Sequence, residues 1–271
     1  MKKIWCVWLV CIVFLILVGS IILMSSCTLH KKVGLIEIKG VINSSRQIVN
    51  NIERCENNSN IGAIVVHIQS PGGIVVHCQE IYEALKEAKK PTVASLGDYA
   101  ASGGYYIACG CNKIVSNPGT ITGSIGVIMS LPNVSEFIKK VGLKFNVVKS
   151  RPHKDIGSPY RELTPKEHEL LKSVVDDVYE QFVDVVTESR GLNRDVVMEI
   201  SDGRILTGRQ AFEIGLVDTL GTLHDAKLLA GSLAGIPGKP KVVEFRRPRP
   251  WWVELMKSYV ADIEWLKLEY R

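Results

Sequence analysis

Three short segments hold residue types that could carry out hydrolysis. The first is Ser70-Pro71-Gly72-Gly73, directly after the apolar run Ile61 to Ile68. Two adjacent glycines let backbone N–H groups approach a ligand with no side chain in the way. Such donors suit a developing oxyanion. The second is Ala100-Ala101-Ser102-Gly103-Gly104-Tyr105-Tyr106, where small residues flank one hydroxyl after a short strand. A hydroxyl at a strand-to-helix junction has free N–H groups beside it, here that of Gly103. The third is Lys154, in Arg151-Pro152-His153-Lys154-Asp155. Taken singly, each has a plainer reading: a turn, a small-residue helix contact and a solvated side chain.

Together they outline a nucleophile and its base. A serine hydroxyl is a poor nucleophile unless a base removes its proton. A lysine serves only when neutral, and its reference pKa of ~10.4 leaves on the order of one part in two thousand neutral at pH 7. Lowering that pKa to ~7–8 takes ~3–4 kcal/mol of desolvation or cationic repulsion. Lys154 is therefore expected to be buried and bonded to hydroxyls, not carboxylates. Ser124, in Thr120-Ile121-Thr122-Gly123-Ser124-Ile125-Gly126, is the candidate hydroxyl that orients it.

These segments need a framework that alternates strands and helices. Val33–Ile38, Ile61–Ile68, Thr92–Leu96 and Lys113–Ser116 read as strands, and the second is nearly continuous apolar, as in a sheet covered on both faces. Arg46–Cys55 and Val75–Ala88 read as helices between them, the latter ended by Lys89-Lys90-Pro91. Phe145–Val148 is expected as a strand leading into a polar loop over 149–163. Thr164-Pro165-Lys166-Glu167 is a helix-start signal, with a capping Thr, Pro in the first turn and Glu three residues on. The helix is expected to run to about Arg190, on apolar positions such as Leu171, Val175, Val178, Phe182 and Val186. Shorter helices are expected from Asn193 or Asp195, over Thr207–Ile214 and over Thr222–Gly235, with a strand over Lys241–Phe245. This alternation predicts an α/β domain with largely parallel pairing.

The ordered set SPGG, AASGGYY, GTITGSIG, KDIGSP, Asp202-Gly203-Arg204 and Thr207-Gly208-Arg209-Gln210-Ala211, ending in Gly215-Leu216-Val217-Asp218, resembles the signal peptide peptidase A family of S49 serine peptidases, short bacterial type. The resemblance runs from about Val33 to Gly235. It implies a fold similar to Clp protease and crotonase, with repeated β-β-α units. It implies Ser102 as nucleophile, Lys154 as general base, Ser124 as the group positioning the lysine, and the N–H groups of Gly73 and Gly103 as the oxyanion hole. It also implies unfolded hydrophobic peptides, such as cleaved signal peptides, as substrates. Homo-oligomeric rings whose sites are completed between neighbouring subunits follow from it too. A Clp-type triad would need a histidine, and the first after Ser102 is His153, beside Lys154. A crotonase-like acyl-CoA enzyme would need neither an exported domain nor a Ser-Lys pair.

The ends of the chain read differently from its middle. After the basic residues 1–3 comes an apolar run from Ile4 to Met24, 21 residues long. A secretory apolar region spans ~7–15 residues and a membrane-crossing helix ~20, so the length favours an uncleaved transmembrane anchor. Leu23-Met24-Ser25-Ser26-Cys27 is also a weak match to a lipoprotein cleavage box, leaving lipid attachment at Cys27 as the alternative. Residues 25–32 then form a linker, 33–235 the peptidase domain, and 236–271 a strand and an amphipathic helix. By the resemblance, the domain is expected on the extracytoplasmic side of the cell membrane. A net charge of +5 without a long Lys/Arg block gives no support for nucleic-acid binding. The six histidines lack ligand spacing and there is no GxxxxGK[ST] loop, so no metal or other cofactor is expected. Cys55, Cys78, Cys109 and Cys111 could pair outside the cytoplasm or stay as buried thiols.

Overall fold

The computed structural model describes residues 31–245. The expected anchor, Cys27 and the C-terminal amphipathic helix lie outside the described residues. Among the described residues no helix is long and apolar enough to cross a membrane.

In chain order the elements are β1 (Lys32–Lys39), α1 (Arg46–Asn57), β2 (Ile61–Ser70), α2 (Val75–Lys86), β3 (Thr92–Ala100), α3 (Gly103–Ala108), β4 (Lys113–Ser116) and β5 (Ile121–Gly123). They continue with α4 (Ser135–Lys140), α5 (Pro165–Arg190), α6 (Arg194–Ile200), β6 (Ile205–Thr207), α7 (Gly208–Glu213), β7 (Thr219–Leu220), α8 (Leu223–Leu233) and β8 (Val242–Phe245). The strands run in the order β6-β5-β3-β2-β1-β8, and β4 also pairs with β3 and with β7. Pairing is parallel except between β5 and β6.

Helices cover both faces of the sheet, which is why β2 is apolar on both sides. Ile64, Val66 and Ile68 point to a core shared with Ile52, Ile81, Leu85, Tyr105 and Phe182, from α1, α2, α3 and α5. Ala63 and Val65 point to the other face, under Ala226 and Ala230 of α8. The alternation follows from the two-residue period of a strand.

The expected β-β-α repeat takes a modified form. Strand and helix alternate through β4, and the long β3 pairs with β2 and β4 along its first part and with β5 at its end. Its register with β2 is regular to Ile68↔Leu96 and then jumps to Ser70↔Ala100. The residues inserted on β3 bend it as a bulge does. Tyr99 can then pair with Ile121 of β5.

The start of α5 follows the sequence closely. Thr164 and Glu167 cap each other reciprocally and Pro165 takes the first turn. Gly191 ends the helix at φ 62, a left-handed conformation that glycine adopts without a side-chain clash. The strand expected over Phe145–Val148 is absent. Those residues lie in an arm between β5 and α5 that has no sheet partner among the described residues, and Val148 is fully exposed. A lone apolar run cannot hold strand geometry without a neighbouring ladder. Cys55, Cys78, Cys109 and Cys111 are buried free thiols. Desolvation pushes them up to about 12, 11, 11 and 12 respectively, which keeps them protonated.

Asp218 ties α5 to the sheet. Its carboxylate accepts from the Ile114 N–H at 2.8 Å and from Lys113 Nζ at 3.0 Å, and it pairs with Arg190 at 3.0 Å. Burial pushes the Asp218 carboxyl up, but the Arg190 and Ile114 hydrogen bonds outweigh it, so its pKa lies below the ordinary 3.8. A depressed pKa means stability that is present above about pH 4 and lost as the pH falls through the folded value. Asp218→Ala is expected to destabilise the fold by about 2–3 kcal/mol at pH 7. In urea unfolding, that deficit against the wild type should shrink at pH 3.

Candidate active site

The carboxyl ends of β2 and β3 bring the first two segments together. After β2, Ser70 anchors the turn: its hydroxyl accepts from Gly72 N–H at 3.1 Å, and its carbonyl accepts from Ala101 N–H at 3.0 Å. Gly73 then forms an isolated parallel bridge with Ile42. Ile42 N–H donates to the Gly72 carbonyl and Ile74 N–H donates to the Ile42 carbonyl, both at 2.9 Å. In such a bridge the carbonyl before Gly73 and the N–H after it face the partner, so the N–H of Gly73 itself faces the other way. That side is a cavity of about 590 Å³, also lined by Ser102, Gly103 and Ser124.

Ser102 sits at φ 52, ψ −123 immediately before α3. A residue with a side chain held there is strained by ~1–3 kcal/mol. Its backbone is fastened at both ends: Ser102 N–H donates to the Gly123 carbonyl at 2.8 Å, and its carbonyl accepts from Tyr106 N–H at 2.9 Å. The sharp turn leaves the hydroxyl facing the cavity, in the manner of a nucleophile elbow. Since α3 has only six residues, what Ser102 gains there is local N–H donors more than a large helix dipole. Gly103 is the first residue of that helix, whose N–H has no intrahelical acceptor. Among the described residues, neither the Gly73 nor the Gly103 N–H has a hydrogen-bond partner.

Close packing makes the glycines necessary. A Cβ on Gly72 would lie 2.7 Å from Gly103 N, and one on Gly73 would lie 2.2 Å from the Ile42 carbonyl oxygen. A Cβ on Gly103 would lie 2.5 Å from Cys78 Sγ and 3.3 Å from Gly73 N. The Gly73 and Gly103 nitrogens therefore lie close to each other and to Ser102.

Ser124 also has positive φ, at 51, and lines the same cavity. Buried hydroxyls fasten its strand to β3: Thr120 Oγ1 donates to the Gly97 carbonyl and Thr122 Oγ1 to the Ala100 carbonyl, each at 2.7 Å. Val75, Tyr106, Val178, Tyr179 and Phe182 supply an apolar part of the wall, and Gln79, Asp176, Ser201 and Asp202 a polar part. Tyr106 stacks edge-on against Tyr82 and Phe182 at 5.1 Å. Motif reading missed this wall, because Val178, Tyr179 and Phe182 look like any apolar face of a helix; only their spacing on α5 pointed inward.

Lys154 is the exception. It is exposed, in a turn of the arm, and does not line the cavity. The expected burial is not found within one chain: the arm that carries Lys154 pairs with no strand among the described residues, and Arg151 to Lys154 are all exposed. The carboxylates around it are engaged elsewhere. Asp155 pairs with Lys149 at 2.6 Å and with Arg161 at 2.9 Å, and Arg161 also pairs with Glu167 at 2.7 Å. The hydrogen bonds from Arg161 hold the Asp155 carboxyl well below the carboxylate range and Glu167 down at about 2. Lys154 thus has no carboxylate partner among the described residues. His153 is likewise exposed, 3.8 Å from Glu167, and among the described residues no histidine lines the cavity.

Residues 84–236 match the family model described as Peptidase family S49. This chain belongs to that family, and its activity class is that of a serine peptidase. Residues 29–120 also match the Clp protease model. A putative protease of Synechocystis sp. is 47% identical over 82% of this chain and 81% of its own length. A putative protease of Methanocaldococcus jannaschii is 34% identical over 74% of this chain and 65% of its own. A putative signal peptide peptidase SppA of Enterococcus faecium is 36% identical over 65% of this chain. The match spans only about half, 52%, of that relative. Among solved structures, a ClpP1 mutant from Listeria monocytogenes superposes with a TM-score of 0.50 at 18% identity, over 71% of this chain and 93% of that one. That likeness shows the ClpP/crotonase-type fold.

In this S49 chain the contact between Gly103 and Cys78 yields a two-step expectation. Gly103→Ala should lower peptidase kcat about 10–100-fold by displacing the Gly103 N–H from its place beside Ser102. Adding Cys78→Ala removes the 2.5 Å contact and should restore most of the rate in steady-state peptide cleavage.

Proposed function

We propose that this chain is a membrane-bound serine endopeptidase that cleaves hydrophobic peptides, such as signal peptides already released from their proteins. Ser102 is the nucleophile, Lys154 the general base, Ser124 the group that orients the lysine, and the Gly73 and Gly103 N–H groups the oxyanion hole. The observation that carries this reading is the strained Ser102 turn, with the Gly73 and Gly103 N–H groups, unpartnered among the described residues, close beside it on a partly apolar cavity.

Neutral Lys154 takes the Ser102 proton as Oγ attacks the scissile carbonyl. The two N–H groups hold the oxyanion, and protonated Lys154 gives its proton to the leaving amine. Water then attacks the acyl-enzyme through the same base. The substrate class is supported by the apolar part of the cavity wall and by the name of the Enterococcus relative. Membrane attachment is supported by the 21-residue apolar run Ile4 to Met24, and placing the peptidase domain on the extracytoplasmic side follows from the family resemblance.

The base is supplied by a second copy. Among the described residues no histidine lines the cavity, and its carboxylates are engaged: Asp176 with Lys172 at 2.6 Å and Asp202 with Arg204 at 2.8 Å. The arm that bears Lys154 leaves Ile128, Phe137 and Val148 exposed at 89%, 66% and 102%. An apolar surface of that kind marks an interaction site. A neighbouring arm laid over the cavity would cover these side chains and desolvate Lys154 at once. Head-to-tail contacts of this kind close into a ring.

Ser102→Ala and Lys154→Ala should each abolish peptide cleavage. Mixing the two inactive chains and reassembling them should restore roughly a quarter of the wild-type rate, because random neighbours then join an intact Ser102 to an intact Lys154 at about one site in four. No recovery on mixing, with assembly confirmed by light scattering, would place the base in the same chain as the nucleophile.

A further inference from the structure

Asp202-Gly203-Arg204 belongs to the sequence pattern but has no part in the chemistry proposed above. The hydrogen bonds around Ser102 give it one. Among the described residues only two without glycine's freedom have positive φ, Ser102 and Ser124. They are joined through a single peptide group. The carbonyl of the Gly123–Ser124 peptide accepts from Ser102 N–H at 2.8 Å, and the N–H of that same peptide donates to the Arg204 carbonyl at 2.8 Å. Wherever the Arg204 carbonyl sits, this peptide plane and the Ser102 backbone must follow.

The Arg204 carbonyl is set by Asp202. The Asp202 carboxylate accepts from Arg204 N–H at 3.0 Å, from Nε at 2.8 Å and from Nη2 at 2.8 Å. The first of these is an Asx turn, which fixes the chain two residues on. Gly203 makes the turn at φ 87, and its N–H donates to the Ile125 carbonyl at 3.1 Å. This loop therefore grips Ser124 from both sides, at Ser124 N–H and at Ile125 C=O. It also stands on the rim of the cavity, where Ser201, Asp202 and Gly203 line it. Both charged side chains are about half exposed. An exposed ion pair contributes little to stability, so fold maintenance does not account for its three-bond geometry.

We propose that Asp202 and Arg204 are a positioning pair, which holds the Gly123–Ser124 peptide so that the Ser102 and Ser124 hydroxyls face each other's side of the cavity. This rests on Ser102 as the nucleophile and Ser124 as the orienting hydroxyl. The pair touches no reacting atom and acts through that one peptide. A small misplacement of a reacting group can lower a rate by about a hundredfold, and this sets the expected scale.

The test is steady-state peptide cleavage by the full chain, with thermal unfolding measured in parallel. Asp202→Ala and Arg204→Ala should each lower kcat about 10–100-fold with KM within about twofold and the unfolding midpoint nearly unchanged. Asp202→Asn keeps an acceptor for the Arg204 N–H and should recover much of the rate. Asp202→Ala combined with Ser124→Ala should lose less than the product of the two single losses, because both act on one residue. If Asp202→Ala unfolds, Asp202→Asn and Arg204→Ala make the same comparison. A wild-type kcat for Asp202→Ala, with Ser102→Ala inactive, overturns the positioning role alone. So does a multiplicative loss with Ser124→Ala. Full activity in Ser102→Ala overturns the nucleophile assignment itself, and the positioning role with it.

Discussion

The parallel pairing of β2 with β3 is the constraint on which the site depends. It places Ser70 opposite Ala100, so the two turns that leave these strands start side by side. One turn carries the Gly73 N–H and the other carries Ser102 and the Gly103 N–H. A two-residue slip would separate them by roughly 7 Å, beyond the reach of any hydrogen bond. The register is held from behind by burial of both faces of β2, because a one-residue slip would turn Ile64, Val66 and Ile68 into the layer built for Ala63 and Val65. The jump after Ile68↔Leu96 then frees the end of β3 to bend toward β5. Packing of the core and geometry of the site are thus one requirement seen at two ends of the same strands.

Small residues at the junction follow from the same closeness. Gly72, Gly73 and Gly103 each meet a neighbour that a Cβ would strike. For both Gly72 and Gly73 the nearest neighbour is backbone: Gly103 N for Gly72, and for Gly73 the Ile42 carbonyl, which cannot move aside without breaking the bridge between them. For Gly103 it is the Cys78 thiol, a side chain. The glycines differ in kind, then: two are demanded by the fold and one by a replaceable contact.

Much of this was legible in the sequence where the cause is local. The Thr164–Glu167 capping box, the Gly191 stop, the twofold burial of β2 and the small residues around Ser102 are each dictated within a few positions. What was not legible depends on chain segments far apart. The pairing of β5 with β6, from which the Asp202–Arg204 loop reaches Ser124, joins residues some eighty positions apart with three-residue strands. Strands that short leave no periodic signal. Phe145–Val148 misled in the opposite direction: its composition suits a strand, but no partner ladder exists for it among the described residues. Acid–base chemistry asks that a lysine base be desolvated, whereas Lys154 is exposed within this chain.

Under the proposed function, that separation has a physical consequence. A lysine made neutral inside one folded chain must be desolvated during folding, at ~3–4 kcal/mol set against a total stability of ~5–15 kcal/mol. Carried on an exposed arm, the same side chain folds in water at no such expense. The penalty is deferred to association, where covering Ile128, Phe137 and Val148 offsets it. The Arg161 network serves the same end, since it occupies Asp155 and Glu167 and so keeps carboxylates that would stabilise the charged form away from Lys154. An isolated chain then holds a formed oxyanion hole and a strained nucleophile without a base, and assembly becomes the step that completes the site.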